Sequence, residues 1–324
     1  MRRRTVLAAI ALGASRTLLP AHAQGRVEVG CLSYGDQSDN NLSAFLSGLR
    51  RLGWREEANL TFVPRFAQSL ADLAANAHEL LSRDLSVLVT VGLAATRIAK
   101  DTTTRLPIVF GAVLDAAGNR IVENLNRPEA NLTGIVYLEE TIPKLIEIAK
   151  ELSPQTKAIA HLFEPAARGA RRGAGRELAY ASDTAQHLGL TYRDFPVDTS
   201  DDLRRVFDLA VADGFDCCIV DNVGLLQFNR YSIIRLALDR RMKAIGRERE
   251  FAVIGGLASF GEEQLDLYLR MAAHVDKILK GAPVAEIPVE RAAKFELVLN
   301  RQTAKAFGLT IPPTLLARAD EVIE

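Results

Sequence analysis

Short apolar runs alternate with amphipathic segments along the first third of the chain. Four runs predict buried strands. In the segments between them apolar residues recur every three or four positions, which predicts helices. The predicted strands span residues 27–33, 60–66, 87–91 and 107–113. Nearly continuous apolar strands that alternate with helices are typical of a parallel sheet covered by helices on both faces.

The same alternation starts again after a helix predicted around residues 142–152. Strands are predicted at residues 157–163, 190–197, 216–221 and 251–255, and the intervening helices at 170–187, near 203–210 and at 229–244. The two halves share no repeat of sequence, and only the order of their elements is repeated. Two consecutive α/β units predict two parallel-sheet lobes with a cleft between them.

The first 23 residues have the pattern of an export signal. A basic stretch, Arg2–Arg4, precedes a short apolar run, and Ala21-His22-Ala23 has the small-x-small form of a cleavage site, which makes Gln24 the expected mature N-terminus. A membrane anchor or a buried helix is the alternative, but the apolar run is shorter than the roughly 18 residues that span a bilayer. Residues 3–7 also resemble a twin-arginine signal, although three adjacent arginines serve general export as well. We expect a periplasmic protein.

Composition excludes several classes of function. The chain has 324 residues, 48% of them hydrophobic and 25% charged, which is ordinary for a globular protein of two domains. Removal of residues 1–23 takes away four arginines and no acidic residue, so 36 basic side chains face 40 acidic ones. A mildly acidic chain gives no reason to expect nucleic acid as a partner. The three cysteines show no metal-ligand spacing, and we expect buried thiols and no metal or cofactor.

The tail of the chain, residues 274–324, predicts a helix, a connector with two prolines, a strand and two short helices. Its strings KILKGAPVAEIPVE and KFELVLNRQTAKAFGLTIPPTLLARADEVIE closely resemble the closing signature of the tryptophan/tyrosine-type solute-binding proteins of ABC transporters. Similar blocks occur at residues 106–110, 131–134 and 255–261. The resemblance covers essentially the whole mature chain. It implies an α/β, periplasmic-binding-protein-like fold with two Rossmann-like parallel-sheet lobes, a hinge and a central ligand cleft.

Analogy with such folds predicts where the chain crosses between the lobes. Residues 24–137 and 260–282 are expected to form the first lobe. Residues 138–259 and 283–324 are expected to form the second.

Ligands of open α/β sheets bind outside the carboxyl ends of the strands, and this rule names the candidate site residues. The candidates that follow predicted strands are Ser33, Tyr34, Gly92, Leu93, Ala94, Ala95, Asp115, Asp221, Asn222, Ser259 and Phe260.

Three of these groups have a predicted role and an ordinary structural alternative. Residues 92–95 open a helix whose N–H groups suit a carboxylate, or they form a tight turn. Related proteins resemble Gly-Thr/Ser-Pro-Ala at this point, so Leu93 removes a side-chain donor. Asp221-Asn222 resembles an Asp-Asn pair of the amino-acid-binding members and could pair with a ligand ammonium, or it caps a helix or forms an Asx-turn. Asp115 has the same two readings.

Two further sets of residues are open to the same choice. Tyr34 and Phe260 could flank a planar ligand or belong to the wall of the cleft. A group of arginines near the start of a predicted helix could bind an anion, although solvated charge is the more ordinary reading. These arginines are Arg168, Arg171, Arg172 and Arg176.

The resemblance implies a monomeric protein that captures a small molecule, delivers it to the permease and ATPase of an ABC transporter, and performs no chemistry. An amino acid, an aromatic acid or a related carboxylate is the expected ligand. Two alternatives remain open at this point. One is an exported α/β enzyme with catalytic carboxylates among Asp115, Glu164 and Asp221. The other is a binding protein that docks on a sensor kinase. The chain contains no familiar nucleotide-binding, hydrolase or metalloprotease motif.

Overall fold

The computed structural model describes residues 26–34, 41–67, 69–128, 131–138, 140–165, 174–221 and 224–324, without the side chains of 174–176. The predicted signal segment, Asn222 and three of the four clustered arginines, Arg168, Arg171 and Arg172, lie outside the described residues, and so does the side chain of Arg176.

The first sheet has six strands within the described part of the chain. In chain order they are β1 (Val27–Tyr34), β2 (Leu60–Ala67), β3 (Val87–Val91), β4 (Ile108–Leu114), β5 (Leu132–Tyr137) and β11 (Glu290–Arg291). Their order across the sheet is β11-β5-β4-β3-β1-β2, and all neighbours are parallel. The strands predicted in the first third are confirmed to within one residue at each end. Strand β5 was not predicted.

The second sheet has seven strands within the described ranges. They are β6 (Ala158–Phe163), β7 (Thr191–Pro196), β8 (Cys217–Val220), β9 (Lys243–Gly246), β10 (Ala258–Glu262), β12 (Phe295–Asn300) and β13 (Glu321–Ile323). Their order is β13-β12-β10-β9-β8-β6-β7, in which β12 runs antiparallel to β10 and the other pairs are parallel. Two mostly parallel sheets confirm the predicted fold class.

Helices cover both faces of each sheet. Helices α1 to α12 span Asn41–Arg51, Leu70–Leu81, Leu93–Thr102, Thr141–Leu152, Ala174–His187, Asp202–Ala212, Gly224–Phe228, Arg230–Asp239, Arg249–Val253, Gln264–Leu279, Arg301–Ala306 and Pro313–Leu316, and a 3-10 turn spans Val284–Glu286. The first sheet is packed between α1 with α10 on one face and α2 with α3 on the other. The second sheet has α4, α5, α11 and α12 on one face and α6, α8 and α9 on the other. No helix of the described residues is long and apolar enough to cross a membrane.

The predicted strand at residues 251–255 is wrong. Residues Arg249–Val253 form helix α9, and the neighbouring strand β9 is Lys243–Gly246, where the sequence predicted the end of a helix. Phe251 is buried, whereas Val253 is 39% exposed, which fits one turn of helix and not an alternating strand. A five-residue apolar run cannot be assigned by periodicity, because a buried strand and a buried helical turn give the same pattern.

Two predicted crossings between the lobes lie elsewhere. Strand β10 extends to Glu262, so residues 260–262 belong to the second sheet. Residues 284–291 lie on the first sheet, where β11 pairs with β5 and the Thr133 hydroxyl donates a hydrogen bond to the Ile287 carbonyl at 2.8 Å. A strand of two residues has no periodicity, and the flanking prolines gave this segment the pattern of a plain connector.

Candidate functional site

A cavity of about 670 Å³ lies between the two sheets, at the carboxyl ends of several parallel strands. The first sheet and its helices contribute Ser33, Tyr34, Asn41 and Val91. The second lobe and the crossing contribute Gln227, Phe228, Arg230, Tyr231, residues 247–250, residues 261–265 and Glu296. Because both lobes form its walls, any hinge motion that separates the sheets opens this cavity.

One contact joins the two lobes beside the cavity. Tyr34, the last residue of β1, donates its hydroxyl hydrogen to Glu164 Oε1 at 3.3 Å. Glu164 directly follows β6 in the second sheet and is 4% exposed. Its other oxygen accepts the backbone N–H of Leu225 at 2.6 Å.

Burial raises the pKa of Glu164, an effect that these two hydrogen bonds partly offset. Burial, with the Glu164 charge second, raises the pKa of Tyr34 to about 12. The phenol is therefore a neutral donor at physiological pH.

The wall of the cavity at the crossing is built around Glu262, the last residue of β10. Its Oε1 accepts the backbone N–H of Leu138 at 3.1 Å and the Thr141 hydroxyl at 3.2 Å. Its Oε2 lies 3.5 Å from a guanidinium nitrogen of Arg247, which also contacts the buried Glu177. This carboxylate thus joins two of the chain segments that pass between the lobes.

A third crossing segment is attached to the same place. The Glu263 backbone N–H donates to the Lys294 carbonyl at 2.9 Å, immediately before β12. Nearby, Gln264 donates to the hydroxyl of Tyr137 at 2.7 Å. Burial, followed by the charges of Glu262 and Glu248, raises the pKa of Tyr137. All three crossing segments therefore meet in one hydrogen-bonded cluster, which we call the hinge cluster.

A buried histidine lies next to the candidate residue Asp221. His161, in β6, has Nδ1 2.8 Å from Asp194 Oδ1 and 2.8 Å from the Tyr192 hydroxyl. Its Nε2 lies 3.5 Å from Asp221 Oδ1, at the end of β8. Asp221 is only 2% exposed. Strand β7 and the end of β8 therefore bring two carboxylates to the two nitrogens of one imidazole in β6, an arrangement that the sequence did not indicate.

The remaining candidates are spread over the structure. Among the described candidates Ser33 and Tyr34 line the cavity, whereas Leu93 and Ala95 are buried in the core beneath it. Gly92, directly before α3, has a φ of 86°, a conformation that favours glycine. The preceding residue, Val91, lines the cavity. Ala94 packs against the same core.

The other three described candidates have local roles. Asp115, with a φ of 42°, accepts the Gly118 N–H at 2.8 Å, as in an Asx-turn. Ser259 is buried within β10. Phe260 stacks on Phe295 with ring centroids 5.5 Å apart. Both were expected at the end of a strand at 251–255, and they lie inside β10 because that strand does not exist.

Sequence reasoning missed the residues that the second lobe contributes at 247–250 and 261–265. Both segments directly follow or end a strand, β9 and β10, so the strand-end rule would have named them had these strands been predicted. No group of three or more His, Cys, Asp or Glu side chains in the described ranges could hold a metal ion.

Two three-layered α/β lobes whose strand ends meet at a shared cavity define a periplasmic-binding-protein-like fold. Comparison with solved structures agrees. A conserved domain protein from Vibrio cholerae has a TM-score of 0.84 at 24% identity, with 91% of this chain and 99% of that one covered. The ABC domain in complex with L-Trp from Streptococcus pneumonia has a TM-score of 0.82 at 20% identity, with 92% and 100% covered.

Sequence comparison gives the family. The chain belongs to the ABC transporter substrate binding protein family, whose model matches residues 26–323. A curated relative, the tyrosine-binding protein of Clostridioides difficile (strain R20291), is 21% identical over 273 residues, which are 84% of this chain and 77% of that protein. The resemblance found in the tail is thereby confirmed, and the class of function is capture of a small solute for an ABC transporter.

Proposed function

We propose that this chain captures an amino acid, with an aromatic one as the first choice, in the periplasm and delivers it to an ABC permease. The observation that carries the proposal is the 670 Å³ cavity, which both lobes line at the ends of their strands. The named ligands of two relatives, tyrosine and L-Trp, supply the class of solute. The export pattern of residues 1–23 supports a periplasmic location.

The lining of the cavity suits a zwitterion with a planar side chain. Tyr34, Phe228 and Tyr231 offer aromatic surface, and arginine and glutamate side chains are both present in the walls. In this proposal Ser33 and the backbone around Gly92 receive the ligand carboxylate. Asp221, buried beside His161 at the end of β8 and outside the lining of this cavity, is the proposed acceptor of the ammonium group.

The arrangement of carboxylates favours binding over catalysis. A glycosidase-like mechanism needs two carboxyl groups that are free to act on one bond. Each carboxylate oxygen of Glu164 accepts a hydrogen bond, and Asp115 accepts a hydrogen bond within its own turn. We therefore propose a binding protein that performs no chemical step. We also propose, from the family and from the mildly acidic chain, a monomer without a nucleic-acid partner.

A thermal-shift screen of residues 24–324 tests the ligand class. We expect L-tyrosine, L-tryptophan or another amino acid to raise the melting temperature, because a ligand at 100 times its Kd adds about 2.7 kcal/mol to the folded state. Asp221→Asn should weaken binding of that ligand by about tenfold or more, because the change removes the negative charge that pairs with the ammonium group. Asp239→Asn, on the exposed face of α8, is the matched control and should bind like the wild type. Stabilisation by sugars alone would contradict the proposed ligand class.

A further inference from the structure

Glu164 lies at the boundary between the two lobes and takes no part in the proposed ligand contacts. It lies directly after β6, buried, on the second lobe. Its partner Tyr34 ends β1 on the first lobe and lines the cavity. The two residues are therefore on opposite sides of the hinge, and their hydrogen bond exists only while the lobes are together.

The surroundings of Glu164 fit this contact closely. Gly224, at the start of α7, has a φ of 53°, and a Cβ there would meet Glu164 Oε2 and lie 2.7 Å from the Tyr34 ring. The next residue, Leu225, donates its N–H to the same carboxylate at 2.6 Å. The missing side chain at Gly224 thus leaves the space in which the tyrosine ring and the carboxylate meet.

Burial is costly for a carboxylate, so the contact needs donors to compensate. Two donors are present, one from the same lobe and one from the opposite lobe. Leu225 is on the same lobe as Glu164, so its hydrogen bond does not depend on the position of the first lobe, whereas the bond from Tyr34 needs the two lobes together. Tyr34, the second of these donors, thus also lines the ligand cavity.

We propose that Glu164 is a positioning residue for solute capture, which holds the Tyr34 ring in the cleft and favours the closed lobes. The inference rests on the proposed function for its meaning, but its geometry does not depend on which solute binds. A ligand that packs against the ring stabilises the same arrangement, so the contact couples occupancy of the cavity to closure. The residue contacts Tyr34 and acts on the ligand through it.

Interlobe distances in the ligand-free protein test the proposal. Nitroxide labels placed by Glu57→Cys and Arg204→Cys, two exposed positions on different lobes, report the hinge by dipolar spectroscopy. The three native cysteines are buried, and burial raises the pKa of Cys217 to about 12, so they react slowly with the label. Tyr34→Phe and Glu164→Gln should each move the distance distribution toward the open form. The double variant should move it no further than the single ones.

Two control variants make the same chemical changes at exposed positions away from the Tyr34–Glu164 contact. Tyr180→Phe, on the exposed face of α5, and Glu123→Gln, also exposed, should leave the distribution unchanged. An unchanged distribution in Tyr34→Phe and Glu164→Gln would overturn the proposal. Effects that add independently in the double variant would also overturn it, because two residues that act through one hydrogen bond do not add.

Ligand kinetics separate this inference from the proposed function. The kinetics are measured with L-tyrosine or L-tryptophan, according to which of them binds. Tyr34→Phe and Glu164→Gln should each raise the dissociation rate of that amino acid by about tenfold and change its association rate little. A shift in lobe distance without any amino-acid binding would support the contact and contradict the ligand class. Binding that is equally tight in wild type and both variants, with unchanged distances, would support the ligand class and overturn the role of Glu164.

Discussion

Glu262→Ala is expected to lower the free energy of unfolding by about 3 to 5 kcal/mol. The buried groups that hydrogen-bond to this carboxylate, or pair with its charge, lose their partner. Glu262 is 4% exposed and accepts hydrogen bonds from Leu138 and Thr141. Its loss also removes one of the two buried carboxylates that Arg247 contacts. Urea unfolding of residues 24–324 measures the difference.

The neighbouring glutamate provides a matched control for this prediction. Glu263 is about one third exposed, and its carboxylate is 3.9 Å from the nearest lysine nitrogen, so Glu263→Ala should cost less than about 1 kcal/mol. Glu262→Gln should fall between the two, because it keeps an oxygen for Leu138 and loses the charge. A cost for Glu262→Ala as small as that of Glu263→Ala would contradict the hinge cluster described here.

Phe251→Ala is expected to cost about 3 to 5 kcal/mol, the usual range for deletion of a fully buried phenylalanine. The ring fills the space beside Gly246 and Gly256, where a Cβ would lie 2.5 Å and 2.6 Å from it. It thereby anchors α9 under the segment 247–250 that lines the cavity. Thermal unfolding measures the loss of stability. Weaker ligand binding should accompany this loss.

Val253→Ala distinguishes the helix from the strand that the sequence suggested. In a strand, residues 251 and 253 share one face, and both truncations would be costly. In helix α9 Val253 is 39% exposed, so its truncation should cost less than about 1 kcal/mol. Equal losses for the two variants would favour the strand and contradict the structure.

Strands β1 to β4 of the first lobe could be predicted from the sequence because each has at least five residues and clear helices separate them, whereas β5 and the two-residue β11 were missed. Strand β3 is an apolar run interrupted only by Thr90, and β1 has apolar residues at Val27, Val29, Cys31 and Leu32. Ser33 and Tyr34, at the end of β1, line the cavity. The second lobe was harder, because β9 has four residues and one of them is lysine. A strand this short carries too few positions for alternation to be seen.

The error in the second lobe explains what was missed in the site. With the strand assigned to 251–255, the strand-end rule named Ser259 and Phe260, which lie within β10. The residues that follow β9 and end β10 line the cavity instead. Contacts across the hinge, such as Tyr34 with Glu164, join positions 130 residues apart, and hydrophobic periodicity holds no information about such pairs.

The pairing of Asp221 with His161 shows the same limit. His161 lies in β6 and Asp221 directly follows β8, and only the parallel pairing of β6 with β8 brings them together. The residues at the ends of strands could therefore be proposed one by one. Their partners became visible once the order of strands was known.

A crystal structure of residues 24–324 with the amino acid that gives the largest thermal shift tests the central claim most directly. We predict one molecule in the cavity between the lobes, in contact with Tyr34 from the first lobe and with residues of the second. We also predict that the Tyr34–Glu164 hydrogen bond is present. An empty cavity, with the amino acid bound elsewhere on the surface, would contradict capture between the two lobes.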